Sequence, residues 1–395
     1  MKHIVYNLNS IRPPITGIGR YAIELLRGNL RTNIQSSAVH NGNVYKNQSI
    51  PEMLDSFEQP TTSLGLNKPP FLSLNQNYRQ LIGNIPWSRE IYRYLNSKRF
   101  THLANSSLAA GAIYHDINYS PLQNAPRTIS TVYDLSHQQC PDTHPHHRVR
   151  YLNRYFKQLA VSDNPVITIS ESIKNELIQS YELPAERIHV THLAADECFR
   201  PHNKAEAEAV LSHYSLNYKQ YLLSVGTLEP RKNLTTILTA YSTLDESIKQ
   251  AFPLVIVGPQ GWKSKPLEEQ IDQLHKQGHI IKIGFVPQQQ LPALYASAAA
   301  FIYPSIYEGF GLPLLEAMQS GCPCITSNAG SLAEVAKQHA LKVNPLDGDD
   351  LASKITKLLQ DTQLNSHYSI AALKRAADFS WDQTIRQTHK VYDSI

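Results

Sequence analysis

Five short apolar runs, at 221–225, 254–257, 280–283, 300–303 and 324–326, recur through the C-terminal half of the chain with helical stretches between them. Near-continuous apolar runs suit strands buried on both faces, and their alternation with helices requires crossover connections. This half is therefore expected to form a parallel sheet covered by helices. The first run is followed at once by Gly226, and the fourth by a loop holding Gly309 and Gly311. In open sheets of this kind, ligands gather at the carboxyl ends of the strands.

The N-terminal half carries a similar but looser pattern. Residues 3–8 read as a buried strand, and 9–19 as a turn-rich segment with Pro13, Pro14, Gly17 and Gly19. Residues 20–30 have helical spacing, with Tyr21, Leu25 and Leu26 able to share one face. The stretch 40–75, rich in Asn, Ser, Gln and Pro, reads as loop, and 76–100 as helical and basic. Strands are expected at 111–114, 127–132 and 165–169, with a basic amphipathic helix at 146–160. The pattern resets near Phe199-Arg200-Pro201. Two α/β domains follow: an N-terminal one over 1–200 and a C-terminal one over 201–377, with one more helix from Phe379 onward. A cleft between two domains is a common ligand site.

Composition narrows the function. With 18% charged residues and a net charge of +4, the 395-residue chain suits neither a disordered segment nor a nucleic-acid partner. The 42% hydrophobic content is enough for two cores. No run approaches the roughly 18 apolar residues of a membrane span. The opening MKHIVYNLNS reads as a strand instead of a signal peptide, so the expected location is the cytoplasm. Of the four cysteines, Cys322-Pro-Cys324 reads as small buried residues after a turn, and no metal site is expected. Asp347-Gly-Asp349-Asp350 reads as the cap of a helix.

Three segments carry chemistry. In Tyr307-Glu308-Gly-Phe-Gly-Leu-Pro-Leu-Leu-Glu316, a loop with Gly309, Phe310 and Gly311 leads into a helix whose first turn accepts Pro313. Unpaired N–H groups at Gly311, Leu312 and Leu314 would suit a diphosphate. Glu308, in the loop, can accept sugar hydroxyls, and Glu316, a turn into the helix, can accept a ribose diol. The second segment is Gly226-Thr227-Leu-Glu-Pro-Arg231-Lys232. Its two cations at a helix start would meet the charge of a departing nucleoside diphosphate. In the third, Gly284-Phe-Val286-Pro, the backbone could contact a flat base.

Together these residues resemble the retaining glycosyltransferases of family 4, which have the GT-B fold. That fold is α/β, with two Rossmann-like domains facing a central cleft and a C-terminal helix crossing back to the N-terminal domain; the segment from Phe379-Ser-Trp381 resembles that closing helix, which implies that about 378–395 completes the N-terminal domain. Glu308 and Glu316 match the family's glutamate–seven–glutamate motif, and Lys232 its lysine. Arg231 belongs to the Arg-Lys version of that segment. Thr227 stands where many members carry a further arginine, which places more of the phosphate load on Arg231. Ser331 to Val335 resembles a segment beside the donor, and Ser170-Glu171-Ser172 the family's serine segment. Gly17 and Gly19 resemble the glycine loop that faces the donor across the cleft. Thr131 to His137 resembles a segment where His before Asp touches the donor sugar. Here Tyr133 precedes Asp134, and His137 lies further on, so either ring is a candidate beside Asp134.

The resemblance implies transfer of a sugar with retention, from a nucleotide-sugar donor to a glycan or lipid-linked glycan in surface polysaccharide synthesis. GDP-mannose is the favoured donor, with a UDP-sugar as the alternative. No cofactor is implied; the nucleotide sugar is a substrate. Peripheral membrane contact, at the inner face, is suggested by basic and aromatic residues at helical spacing in 78–100 and 147–157. The rival readings are a GT-B nucleotide-sugar epimerase and a non-catalytic nucleotide-sugar-binding regulator. A dehydrogenase does not fit: Gly17-x-Gly19-x-x-Ala22 lies about ten residues past its strand, too far for the fingerprint turn.

Overall fold

The computed structural model describes residues 2–11, 15–58, 98–105, 107–108, 110–122, 125, 127–261, 265–276 and 278–395. The chain builds two sheets. The first has the order β3-β2-β1-β4-β5-β6-β7 and the second β10-β9-β8-β11-β12-β13. The strands of the first are β1 His3–Asn7, β2 Gln35–His40, β3 Asn43–Lys46, β4 Ile113–Asp116, β5 Thr128–Val132, β6 Val166–Thr168 and β7 Ile188–Val190. Those of the second are β8 Leu222–Val225, β9 Leu254–Val257, β10 Ile280–Gly284, β11 Ala300–Tyr303, β12 Cys324–Ser327 and β13 Leu341–Val343. The second sheet is parallel at each pairing. In the first, only β2 with β3 runs antiparallel among the described pairs.

By packing, the chain falls into two compact units. One comprises 1–131, 163–167 and 385–395, and the other 132–162 and 168–384. In the first unit, residues 385–395 are held by a buried polar network. Tyr392 Oη lies 2.7 Å from Tyr6 Oη and 2.8 Å from His115 Nδ1. His115 Nε2 in turn meets Thr131 Oγ1 at 2.8 Å, and Asn29 donates to Tyr6 Oη at 2.9 Å. Such groups are tolerated without water because each finds a partner. Burial pushes the His115 pKa down to about 3, so the imidazole is neutral. Gly28 lets the helix Gly17–Arg31 approach closely, since a Cβ there would fall 2.5 Å from Ile385 Cδ1.

Several local expectations are corrected. Gly17 and Gly19 do not form a loop; they open the helix Gly17–Arg31, whose first turn closes with Arg20 N–H donating to Thr16 O at 2.9 Å. Part of the stretch read as loop is β3 and the helix Ile50–Glu58, because Val44 and Tyr45 pair with β2 and Met53, Leu54 and Phe57 are buried. The strands β2, β7 and β13 went unread in the sequence. The helix His146–Ala160 forms as expected, with Leu152, Tyr155, Phe156 and Leu159 buried along one stripe. The segment 78–97, read as a basic helix, lies outside the described residues, as do Pro13 and Pro14. Asp347 caps the helix Gly348–Gln360 by accepting from Asp350 N–H. Among the described residues, no helix is long and apolar enough to cross a membrane.

In the second unit, Leu222, Leu254, Ile256, Ile302, Ile325 and Val343 from the strands pack with Leu234, Ile237, Leu238, Leu351, Ile355 and Leu358 from helices. The ends of β8, β9 and β10 are stitched by glycines: Gly226 N–H donates to Val257 O and Gly258 N–H to Gly284 O. Gly258 has φ +149°, and a Cβ there would lie 1.9 Å from Gly226 O. Gly278, at φ +83°, would meet nothing within 4 Å. Gly258→Ala should therefore cost about 3 kcal/mol of stability, because backbone cannot rotate away. Gly278→Ala should cost only about 1 kcal/mol of strain. Urea unfolding of the two variants measures the difference, and equal losses would contradict the clash.

Candidate functional site

The order of the second sheet makes the site. Because β8 and β11 are neighbours and parallel, the loops that leave them meet at one edge. The loop after β8 carries the 3-10 turn Pro230–Lys232, and Asn233, at φ +61°, then starts the helix Leu234–Ser242. Asn233 Nδ2 donates to Pro304 O at 2.9 Å, and Ile306 N–H donates to Arg231 O at 2.9 Å. Arg231 and Lys232 are thus positioned by the turn that leads into the helix start.

Their anionic partner is Glu308. Lys232 Nζ donates to Glu308 Oε1 at 2.6 Å and Arg231 Nη1 to Oε2 at 2.9 Å. Arg231 also pairs with Glu229 at 2.7 Å. Tyr303 Oη, at the end of β11, donates to Glu308 Oε1 at 2.8 Å and accepts from Lys232 Nζ at 2.7 Å. Only 8% of the Glu308 side chain is exposed. Burial alone would push its carboxyl up, but Lys232 and Arg231 more than offset this and hold it at about 2. Glu308 is therefore not an open loop carboxylate: both oxygens are engaged.

The loop that follows is tightly packed. Gly309 sits where a Cβ would fall 1.9 Å from Tyr133 O, and Ser170 Oγ donates to Gly309 O at 2.9 Å. Ser331 Oγ donates to Glu308 O at 2.6 Å. Tyr307 Oη accepts from Leu135 N–H at 2.8 Å and donates to Glu176 Oε2 at 2.7 Å. Burial raises the Glu176 pKa. Gly311, at φ +100°, precedes the helix Leu312–Gln319. Leu314 N–H is not available to an anion, because it closes a turn on Gly311 O at 3.0 Å; the helix start that remains is Gly311 and Leu312. Glu316 accepts from Tyr295 Oη at 3.0 Å.

Of the remaining expected residues, Tyr133 and Asp134 adjoin Gly309 and the others lie outside the Arg231–Lys232–Glu308 contacts. His137 is 1% exposed and stacks on Phe156, with ring centroids 4.9 Å apart. Burial lowers its pKa to about 4. Its Nε2 lies 3.2 Å from Tyr181 Oη. Tyr133 is likewise buried, and its carbonyl is what Gly309 packs on. Asp134 accepts from Ser136 N–H and Oγ at 3.0 and 2.6 Å. Val286 is buried beside the exposed Phe285, and Thr227 packs near Gly261. Gly17 and Gly19 belong to the other unit. Glu334 links the expected segments at 171–172 and 331–335: it accepts from Glu171 and Ser172 N–H, and lies 2.7 Å from His192 Nε2. Sequence reasoning missed Tyr303, Tyr295, Glu229 and Glu176. The one available signal was that Tyr303 is the last strand residue before the loop.

The backbone matches solved glycosyltransferase structures. Over 100% of both chains it superposes on HepE of Anabaena, crystallised with UDP and glucose, with TM-score 0.72 at 17% identity. The fold is GT-B, with two Rossmann-like domains. In sequence, residues 213–375 match the family described as Glycosyl transferases group 1. The chain is 34% identical over 390 residues to the O-antigen chain mannosyltransferase B of Escherichia coli, covering 98% of this chain and 99% of that protein. It is 30% identical over 278 residues to the serotype-specific mannosyltransferase WbdA of Escherichia coli, 67% of this chain but only 33% of that longer protein. The protein belongs to the group 1 glycosyltransferases and is itself a glycosyltransferase.

Glu308 has an ordinary pKa of 4.5 and a folded value of about 2. A carboxylate depressed on folding adds stability above its unfolded pKa, and that stability is lost as pH falls toward the folded value. The difference in urea midpoint between the native protein and Glu308→Gln should be widest near neutrality. It should shrink below pH 4.5 and nearly vanish toward pH 2. A difference that stays constant through that window would mean the cations do not hold this carboxylate charged.

Proposed function

We propose that the enzyme transfers mannose, with retention of anomeric configuration, from GDP-mannose to a lipid-linked glycan of a surface polysaccharide. The observation that carries the site assignment is the Arg231–Lys232–Tyr303–Glu308 cluster at the carboxyl edge of a parallel sheet. The likeness to the E. coli O-antigen mannosyltransferase along nearly its whole length supports mannose and this acceptor class. On this reading the donor diphosphate takes Arg231 and Lys232 as partners, next to the N–H groups of Gly311 and Leu312. Glu308, relieved of part of its pairing, accepts from a sugar hydroxyl, while Glu316 holds the ribose diol.

The bond between the anomeric carbon and the phosphate oxygen breaks as the acceptor oxygen bonds on the same face. The acceptor proton passes to the leaving phosphate. Catalysis is then positioning plus stabilisation of the charge that grows on the diphosphate. Arg231 and Lys232 supply that stabilisation, so no metal is assigned to the step. The face of the helix His146–Ala160 opposite its buried stripe carries the exposed Arg150, Arg154 and Lys157, which supports contact with an anionic membrane surface. Flotation with anionic but not neutral vesicles is the expected behaviour; indifference to lipid charge would remove this part of the proposal.

A donor panel read by release of free diphosphate tests the main claim. GDP-mannose should be turned over fastest, with EDTA present as well as absent, and the product linkage should be the retained anomer by NMR. Lys232→Ala should lower kcat by roughly 10²–10³. Glu316→Ala should mainly raise donor KM, since uniform binding moves KM without kcat. An epimerised donor, or native kinetics in both variants, would overturn the assignment.

A further inference from the structure

Each glutamate of the pair has a buried tyrosine behind it. Tyr303 is 1% exposed and its hydroxyl bridges Lys232 Nζ, at 2.7 Å, and Glu308 Oε1, at 2.8 Å. Tyr295 is 0% exposed and donates to Glu316 Oε2 at 3.0 Å. The two rings flank the buried Phe301, with centroids 5.3 Å from Tyr295 to Phe301 and 5.4 Å from Phe301 to Tyr303. Tyr295 comes from the helix Leu291–Ser297 and Tyr303 from β11, so neither belongs to the element that carries its glutamate. We infer that Tyr303 and Tyr295 are positioning residues, the first aiming Glu308 at the donor sugar and the second aiming Glu316 at the nucleoside.

The two hydroxyls do different work because their partners do. Lys232 is bonded to the same Glu308 oxygen as Tyr303, at 2.6 Å. A diphosphate competes for the lysine, because a phosphate oxygen is as good an acceptor for an ammonium as a carboxylate is. As the charge on the leaving group grows, the lysine is drawn further to it. Tyr303 has no such competitor: its ring is fixed in the sheet, and its proton stays on Glu308. The tyrosine thus matters most when the lysine is most engaged, in the transition state. Glu316 is steadied by the neutral hydroxyl of Tyr295, which acts alike in ground and transition states. Loss of Tyr303 should therefore appear in kcat, and loss of Tyr295 in donor KM.

Removing one oxygen atom leaves the aromatic packing in place, and in Tyr303→Phe the Lys232–Glu308 contact remains, so both Phe variants should fold. The inference rests on the assignment of Glu308 and Glu316 made above, and the experiment separates the two. Full-length native protein, Tyr303→Phe, Tyr295→Phe, Glu308→Gln and Lys232→Ala are assayed with GDP-mannose and UDP-glucose as donor probes. Tyr303→Phe should lose about tenfold to hundredfold in kcat, the size of one hydrogen bond to a charged group, with donor KM little changed. Tyr295→Phe should raise donor KM about tenfold and keep kcat. A merely structural role would lower the melting temperature without this opposite split. Equal losses in both parameters for both variants, or native kinetics in both, overturn the inference. If Glu308→Gln and Lys232→Ala lose kcat while Tyr303→Phe does not, only the positioning claim fails. If all of these keep native kcat, the site assignment fails and takes this inference with it.

Discussion

Glu308 keeps its charge with 8% of its side chain exposed, and two cations from a different strand end make that bearable. Taking a carboxylate out of water costs several kcal/mol even after relaxation. Attraction to Arg231 and Lys232 offsets that cost, and the hydroxyl of Tyr303 adds a further donor. The cluster exists only because β8 and β11 are adjacent in the sheet although 77 residues separate Arg231 from Glu308. A buried ion pair is a poor means of stabilising a fold, since apolar residues of the same volume often do as well. Here it concentrates two positive charges at the edge of the sheet, where the fold gathers ligands.

The packing around the loop serves the same cluster. Gly309 is pressed against Tyr133 O, and Ser170 and Ser331 donate to the carbonyls of Gly309 and Glu308. Each contact fixes backbone on one side or the other of the carboxylate, so the side chain leaves from a defined point. Tyr307 points away and closes on Leu135 and Glu176. A loop of polar and glycine residues would otherwise be among the mobile parts of such a fold.

Much of the second sheet was legible because its strands are uninterrupted apolar runs: 254–257 and 300–303 match β9 and β11 residue for residue. The glutamates, Arg231 and Lys232 were legible as types at a spacing. Their mutual pairing was not, since charge partners 77 positions apart follow from strand order, which no local pattern carries. The surroundings of His137 were hidden for a related reason: its stacking on Phe156 and its approach to Tyr181 are tertiary facts. The glycines at 17 and 19 were read as a turn because two glycines in three residues weaken helix propensity; Gly19 is instead required small by Ile15 and Ile11 packed against it. β2 and β3 were hidden in a polar stretch, and only their pairing shows them as strands.

The contrast between the two glutamates follows from where the fold places them. Glu308 stands in a loop between cations, so its surroundings change as soon as an anion arrives to share those cations. Glu316 stands in a helix and accepts from the hydroxyl of a neutral tyrosine. A group whose partners are drawn off by the bound diphosphate can respond to the charge that develops during reaction. A group whose partner is indifferent to that charge can only bind. On the proposed assignment, the same motif therefore divides its labour by setting: two identical side chains, eight positions apart, one coupled to the leaving group through Lys232 and one held by the hydroxyl of Tyr295.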